Sequence, residues 1–142
     1  DLRMSRGLGD VYKRQDKYGY INKSGKVVIK PSSKWYQVES FSEGLASYWV
    51  GPTTFENAYG YINKKGKIVI KPSYGQAFQF SDGLACVQDG KTYKYGFINK
   101  KGKNVIKCTY DYALNFKNGL ACVMKNGKSY MIDKKGKTIT IK

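Results

Sequence analysis

The sequence predicts an all-β fold: a tandem array of three-stranded antiparallel meander repeats, open like a solenoid or closed like a propeller, with about three full units and a partial fourth. Two short blocks alternate along the chain, which is the signature of a repeat architecture. Tyr (13) and Phe (6) dominate the aromatic content of a chain that is 41% hydrophobic, so strand-forming rings are available to fill a continuous core.

The first fifteen residues, DLRMSRGLGDVYKRQ, lack the periodicity of everything after them and hold every Arg of the chain. They resemble a translated adaptor or vector scar, so residues 1–15 are expected to be non-native or unstructured, with the true N-terminus missing. Residues 16–142 are then the repeat domain, with units at approximately 17–57, 58–91 and 92–127 and a partial unit at 128–142, the piece of a longer array.

The first block runs Tyr18-Gly19-Tyr20-Ile21-Asn22-Lys23-Ser24-Gly25-Lys26 and returns at Tyr59-Gly60-Tyr61-Ile62 and Tyr95-Gly96-Phe97-Ile98, with a worn copy at Tyr130-Met131-Ile132-Asp133. In each copy the Asn or Asp opens a turn and a glycine, Gly25, Gly66, Gly102 or Gly136, supplies the left-handed residue of a bulged hairpin loop. The flanking Tyr-Ile and Val-Ile pairs are the two strands, and the missing N–H of Pro31 and Pro72 is expected to end the second one. A connector follows, and then the second block: Phe41-Ser42-Glu43-Gly44-Leu45-Ala46, Phe80-Ser81-Asp82-Gly83-Leu84-Ala85 and Phe116-Lys117-Asn118-Gly119-Leu120-Ala121. Its Leu-Ala run reads as a third strand entered by a glycine turn, and Asp89-Gly90 and Asn126-Gly127 read as hairpins into the next unit. The first unit alone carries an insertion, Gly51 to Asn57, of the kind that collects on loops of one face.

The alternation of aromatic-Gly, Ile-x-Pro and Phe-Ser-x-Gly-Leu-Ala resembles the WG (KWG) repeat family over essentially Lys17–Lys142, with Tyr18, Tyr59 and Tyr95 where the family's Trp would stand. The resemblance implies a bacterial, all-β interaction module with no activity of its own. The residues that define the repeat are Gly19, Gly60, Gly96, Phe41, Phe80, Phe116, Gly44, Gly83 and Gly119, with the four turn glycines.

Chemistry is narrowed by what is missing. The chain has no His, which removes the commonest general base and most zinc and iron sites. Its eight acids after residue 15 form no convergent pair, and there is no phosphate loop or nucleophile elbow. No residue is assigned a catalytic, metal-ligating or cofactor-binding role, and the chain is not expected to be an enzyme. Cys86 and Cys122 occupy equivalent places and read as small buried thiols, while Cys108 stands where Pro31 and Pro72 stand earlier. No apolar run approaches the roughly 20 residues of a membrane-spanning helix. The compartment stays open between cytoplasm and cell surface.

Two surfaces are candidates for binding. The net charge is +16 and, from Asp16 onward, every basic residue is Lys. Lys64, Lys65, Lys100 and Lys101 stand at the hairpin tips, where a basic rim could hold an anionic polymer or membrane surface, or merely keep the strands soluble. Specific nucleic-acid reading is disfavoured because it leans on the planar Arg fork. The aromatic residues in or beside the connectors, Trp35, Tyr36, Trp49, Tyr74, Phe78, Tyr110 and Tyr112, are the second surface, suited to a protein or glycan ligand or else to filling the core. A non-catalytic binding or scaffolding module is the leading reading. The alternatives are polyanion binding at the lysine rim and a purely structural spacer for a neighbouring domain.

Overall fold

The computed structural model describes residues 10–140, with no side chain described for Asp10. All regular structure in it is β, arranged as four antiparallel sheets in chain order. The first sheet holds β1 (Asp10–Arg14), β2 (Lys17–Ile21) and β3 (Val27–Ser32). The second holds β4 (Gln37–Val38), β5 (Leu45–Trp49), β6 (Tyr59–Asn63) and β7 (Ile68–Tyr74). The third holds β8 (Gln76–Ser81), β9 (Leu84–Gln88), β10 (Tyr95–Ile98) and β11 (Asn104–Tyr110), and the fourth β12 (Tyr112–Ala113), β13 (Leu120–Lys125), β14 (Lys128–Asp133) and β15 (Thr138–Ile139).

The expected array is present, but its sheets have four strands and are cut out of phase with the sequence units. The Leu-Ala strand does not pair with the hairpin of its own unit. It pairs with the Tyr-Gly strand of the next one, as in Ser47 opposite Tyr61 and Tyr48 opposite Gly60. After the Val-Ile strand the chain turns a corner, at Gly75 or Asp111, and opens the following sheet. Each full sheet is therefore built from two sequence units, which ties neighbouring units covalently and through backbone ladders.

This phase also gives Asp10–Arg14 a place in the fold that composition hid. Asp10–Arg14 forms β1 and pairs with β2 in the place that the Leu-Ala strand takes elsewhere, with Val11 opposite Tyr20 and Tyr12 opposite Gly19. A free strand edge on β2 and an apolar side chain that reaches the core suffice: Val11 is buried. Residues 1–9 lie outside the described residues.

Pro31 and Pro72 do not end their strands, because β3 and β7 run past them. The pairing instead shifts register between Tyr18/Ser32 and Tyr20/Ile29, and between Tyr59/Tyr74 and Tyr61/Ile70. This is a bulge, where a ladder N–H is not required and proline is tolerated. The bulge pushes backbone under the glycine opposite. A Cβ on Gly19 would lie 2.4 Å from Ile29 O, on Gly60 2.4 Å from Ile70 O, and on Gly96 2.5 Å from Ile106 O. The aromatic-Gly and Ile-x-Pro signatures are thus two sides of one bulge.

Consecutive sheets pack face to face. Tyr18, Tyr20 and Ile29 of the first sheet meet Val38, Ala46, Tyr48 and Ile62 of the second. Leu45, Tyr61 and Ile70 meet Ala77, Phe80 and Val87, and Leu84, Cys86, Phe97 and Ile106 meet Phe116, Ala121, Val123 and Ile132. Because inner strands are covered on both faces, β6 and β9 read as continuous apolar runs, and each fully buried ring contributes about 1.5–3 kcal/mol.

Polar bonds fix the spacing between sheets. The hydroxyl of Tyr20 donates to Glu39 O (2.5 Å) and that of Tyr61 to Phe78 O (2.7 Å). Ser42 Oγ donates to Phe80 O (2.7 Å) and Ser81 Oγ to Phe116 O (2.5 Å). Glu43 Oε1 accepts from Gly83 N (2.9 Å) and Asp82 Oδ2 from Gly119 N (2.7 Å). The Phe-Ser-acid-Gly motif is therefore a ladder from one unit to the next, in addition to a turn. The turn itself is a two-residue hairpin with both central residues left-handed, Glu43 at φ 54° and Gly44 at φ 87°.

Candidate binding site

Register places the ends of every strand on opposite edges of the array. In the second sheet Leu45 pairs with Asn63 at one end and Trp49 with Tyr59 at the other, a separation of about 13 Å along the strand. The hairpin tips therefore line one edge and the connectors the other.

At the tip edge, Asn22 Oδ1 accepts from Ser24 N and Lys26 N (3.0 Å each), and Gly25 N donates to Asn22 O (2.9 Å). The same bonds recur at Asn63, Asn99 and Asp133. The backbone N–H of Lys137, followed by that of Lys135, holds the Asp133 carboxyl below its usual range. Each of the last three tips rests on the sheet before it: Cβ atoms built on Gly66, Gly102 and Gly136 would lie 3.1, 3.3 and 3.5 Å from Ile29, Ile70 and Ile106. Lys64, Lys65, Lys100 and Lys101 are exposed there, in register. The row is partly compensated, since Lys100 Nζ lies 3.6 Å from Glu43 Oε1.

The connector edge carries rings. Tyr36 is 54% exposed and stands edge-on to the half-buried Trp49, with centroids 5.0 Å apart. Trp49 and Tyr59, cross-strand partners, lie nearly parallel at 17° with centroids 6.2 Å apart. Beyond them Phe78, Tyr95 and Tyr112 follow at 6.4 and 5.5 Å. Between Tyr59 and Phe78 the row opens into a cleft of ≈ 210 Å³ between the edge strands β4 and β8, where Gln37, Glu39 and Gln76 join the rings. Burial, and secondarily the Glu39 carboxylate, pushes the Tyr59 hydroxyl above its usual pKa. A second hollow of ≈ 460 Å³ shares Trp49, Tyr59 and Gln76 and is walled by the insertion from Pro52 to Phe55. A third, of ≈ 630 Å³, runs between the first and second sheets past Tyr18, Tyr36 and Gln37.

Trp35 is set deeper than these exposed rings. It is 5% exposed, packs against Tyr48 (6.1 Å), and its indole N–H donates to Tyr18 O at 2.7 Å. A satisfied indole that bridges two sheets packs as a core residue, and Trp35 also lines the ≈ 630 Å³ hollow between the first and second sheets. Tyr74 and Tyr110 are likewise half-buried against the cores. The insertion, read from sequence as a loop on one face, is docked: Phe55 packs on Tyr93 (5.3 Å), and Gly90 abuts Glu56, where a Cβ would fall 2.3 Å from Glu56 Cα. Asp89-Gly90 accordingly is no tight hairpin. The loop closes from Asp89 to Lys94 with Tyr93 left-handed (φ 63°), whereas Asn126-Gly127 is the two-residue turn expected.

Sequence reading missed Tyr59 and Tyr95, which stand within the repeat signature, and Gln37, Glu39 and Gln76, which carry no pattern. The usable signal for Tyr59 was its register opposite Trp49. The thiols are free: Cys86 is buried, and that burial, helped by Cys108, pushes it up to about 12.

Against known proteins, the profile described as WG containing repeat matches residues 18–48, 59–93 and 95–128. The chain belongs to the WG repeat family. No curated protein and no solved structure matches it. The matched WG repeats begin at the Tyr-Gly strands and end near the Leu-Ala strands, so they follow the sequence units and straddle the sheets. No helix among the described residues is long and apolar enough to cross a membrane.

Proposed function

We propose that this WG repeat array is a non-catalytic binding module whose ligand lies along the connector edge. The observation that carries the reading is segregation of the rings. Tyr20, Tyr48, Tyr61, Phe80, Phe97 and Phe116 are sunk between sheets, whereas Tyr36, Trp49 and Phe78 remain accessible beside clefts at one edge, with Tyr112 exposed further along it. Amphipathic rings that are rigidly held yet partly bare favour recognition, because little side-chain entropy is lost on contact. The reading is tested by binding the whole chain to immobilised glycans, anionic polymers and peptides at low and high salt. Retention that resists salt and is lost with Tyr36→Ala and Trp49→Ala supports it; retention that collapses with salt and ignores both substitutions contradicts it.

A second reading rests on the lysine edge, which is exposed and regularly spaced. It requires affinity for a polyanion to fall with a salt slope of roughly 0.7–0.9 per lysine engaged. The pairing of Lys100 with Glu43 weighs against it.

A further inference from the structure

Resting on the connector edge as the binding surface, we propose that the cleft bounded by Trp49, Tyr59, Phe78, Gln37, Glu39 and Gln76 takes an uncharged, equatorially linked pyranose chain.

Three features of the cleft select that chemistry. The rings of Trp49 and Tyr59, on two paired strands, stack nearly parallel and border the cleft. Aromatic rings beside a cleft suit the C–H face of a pyranose, since the π faces are electron-rich and axial C–H groups are their complement. The walls carry carboxamides and a carboxylate: Gln37, Gln76 and Glu39 are exposed, and among the described residues no protein group holds the Gln37 or Gln76 side chain. The carboxamides both donate and accept, as vicinal hydroxyls do, and the carboxylate accepts. Finally, charge is absent where the molecule is otherwise saturated with it. The net charge is +16, yet no Lys lines this cleft and its one ionised group is Glu39. An anionic ligand would meet its only repulsive charge there. A peptide ligand is less well matched, because carboxamides and a carboxylate line the cleft beside the rings and leave no purely apolar socket for an anchoring side chain.

The row of rings continues on both sides, to Tyr36 in one direction and to Tyr95 and Tyr112 in the other, so a chain of several sugars has further faces to rest on. This predicts that affinity grows with chain length.

The test is titration of the full 142-residue chain with cellohexaose and chitohexaose, read by calorimetry and by tryptophan emission. At least one hexasaccharide should bind and shift the emission, salt should leave the affinity unchanged, and the matching disaccharide should bind at least tenfold more weakly. Trp49→Ala should lower affinity at least tenfold. Because that residue is half-buried, the exposed Gln76→Ala serves as the second variant; it should weaken binding several-fold while leaving the thermal melt in place. Silence with both hexasaccharides, or binding that neither variant alters, overturns the proposal. If the sugars are silent while Trp49→Ala abolishes salt-resistant binding to a peptide of the panel, the ligand class is wrong and the surface stands. If Trp49→Ala changes nothing with any probe, both fall.

Discussion

The two edges of the array are made by the same strands and differ in everything else. At the tip edge the chain repeats itself almost letter for letter, and the repeated atoms hold the fold together. An Asx oxygen closes each loop, and at all but the first a glycine seats against an isoleucine of the sheet before it. At the connector edge the units diverge in length and residue type, and there the exposed rings, the clefts and the docked insertion are found. Regularity here marks what stacking demands. Variation marks where the scaffold leaves side chains free to meet something else.

The comparison breaks most sharply at its glycines. Gly60→Ala drives a Cβ into the bulge beneath the connector edge and is expected to cost about 4 kcal/mol, enough to unfold the second sheet in a thermal melt. Gly25→Ala at the first tip meets nothing within 4 Å and suffers only its left-handed φ of 83°, about 1–2 kcal/mol. Equal losses would deny that the bulge is the more constrained of the two.

Next in size is the ladder between units. Ser42→Ala and Ser81→Ala each strand a phenylalanine carbonyl of the following unit and should lose about 1 kcal/mol by denaturant unfolding. Alkaline pH probes the cores in between. Burial raises the hydroxyls of Tyr20 and Tyr61 and, with Cys108, pushes Cys86 up to about 12. These groups ionise more easily unfolded than folded, so stability should hold at neutral pH and fall as pH rises from about 9 toward 12. Cys86 should resist alkylation until then, whereas the half-exposed Cys122 reacts.

The smallest effects are expected at Tyr48 and the tips. Tyr48 is buried with its hydroxyl unpartnered among the described residues, so Tyr48→Phe should leave the melting temperature unchanged or raise it slightly. Replacing Lys64, Lys65, Lys100 and Lys101 together by Gln should move stability by less than about 0.5 kcal/mol per site, since exposed charges at turn tips hold little of the fold.

Much of this was legible in the sequence because local physics decided it. Asn-Lys-Lys-Gly can close only a small set of turns, and the alternating blocks pointed to a stacked array. The features that sequence reading missed depend on contacts distant along the chain. Nothing in Asp10–Arg14 shows that it will pair with β2 as the third strand of the first sheet, and nothing in Trp35 shows that its N–H will find Tyr18 O. Pro31 and Pro72 misled for a related reason. A proline ends a strand only where its N–H is needed, and the bulge that removes that need is made possible by the glycine on the opposite strand. The connector edge was half legible: Tyr36, Trp49, Phe78 and Tyr112 stood out as rings, but their assembly with Tyr59 follows from strand register.

The central claim, that the connector edge and not the tip edge is the binding surface, is tested most directly by following the two indole N–H resonances while cellohexaose is added. Binding at the connector edge shifts the Trp49 indole and the backbone amides of Tyr36 and Gln76, leaving the buried Trp35 indole and the amides of Lys64 and Lys100 where they were. Shifts confined to the lysine tips, or a Trp49 resonance that never moves, would contradict the account.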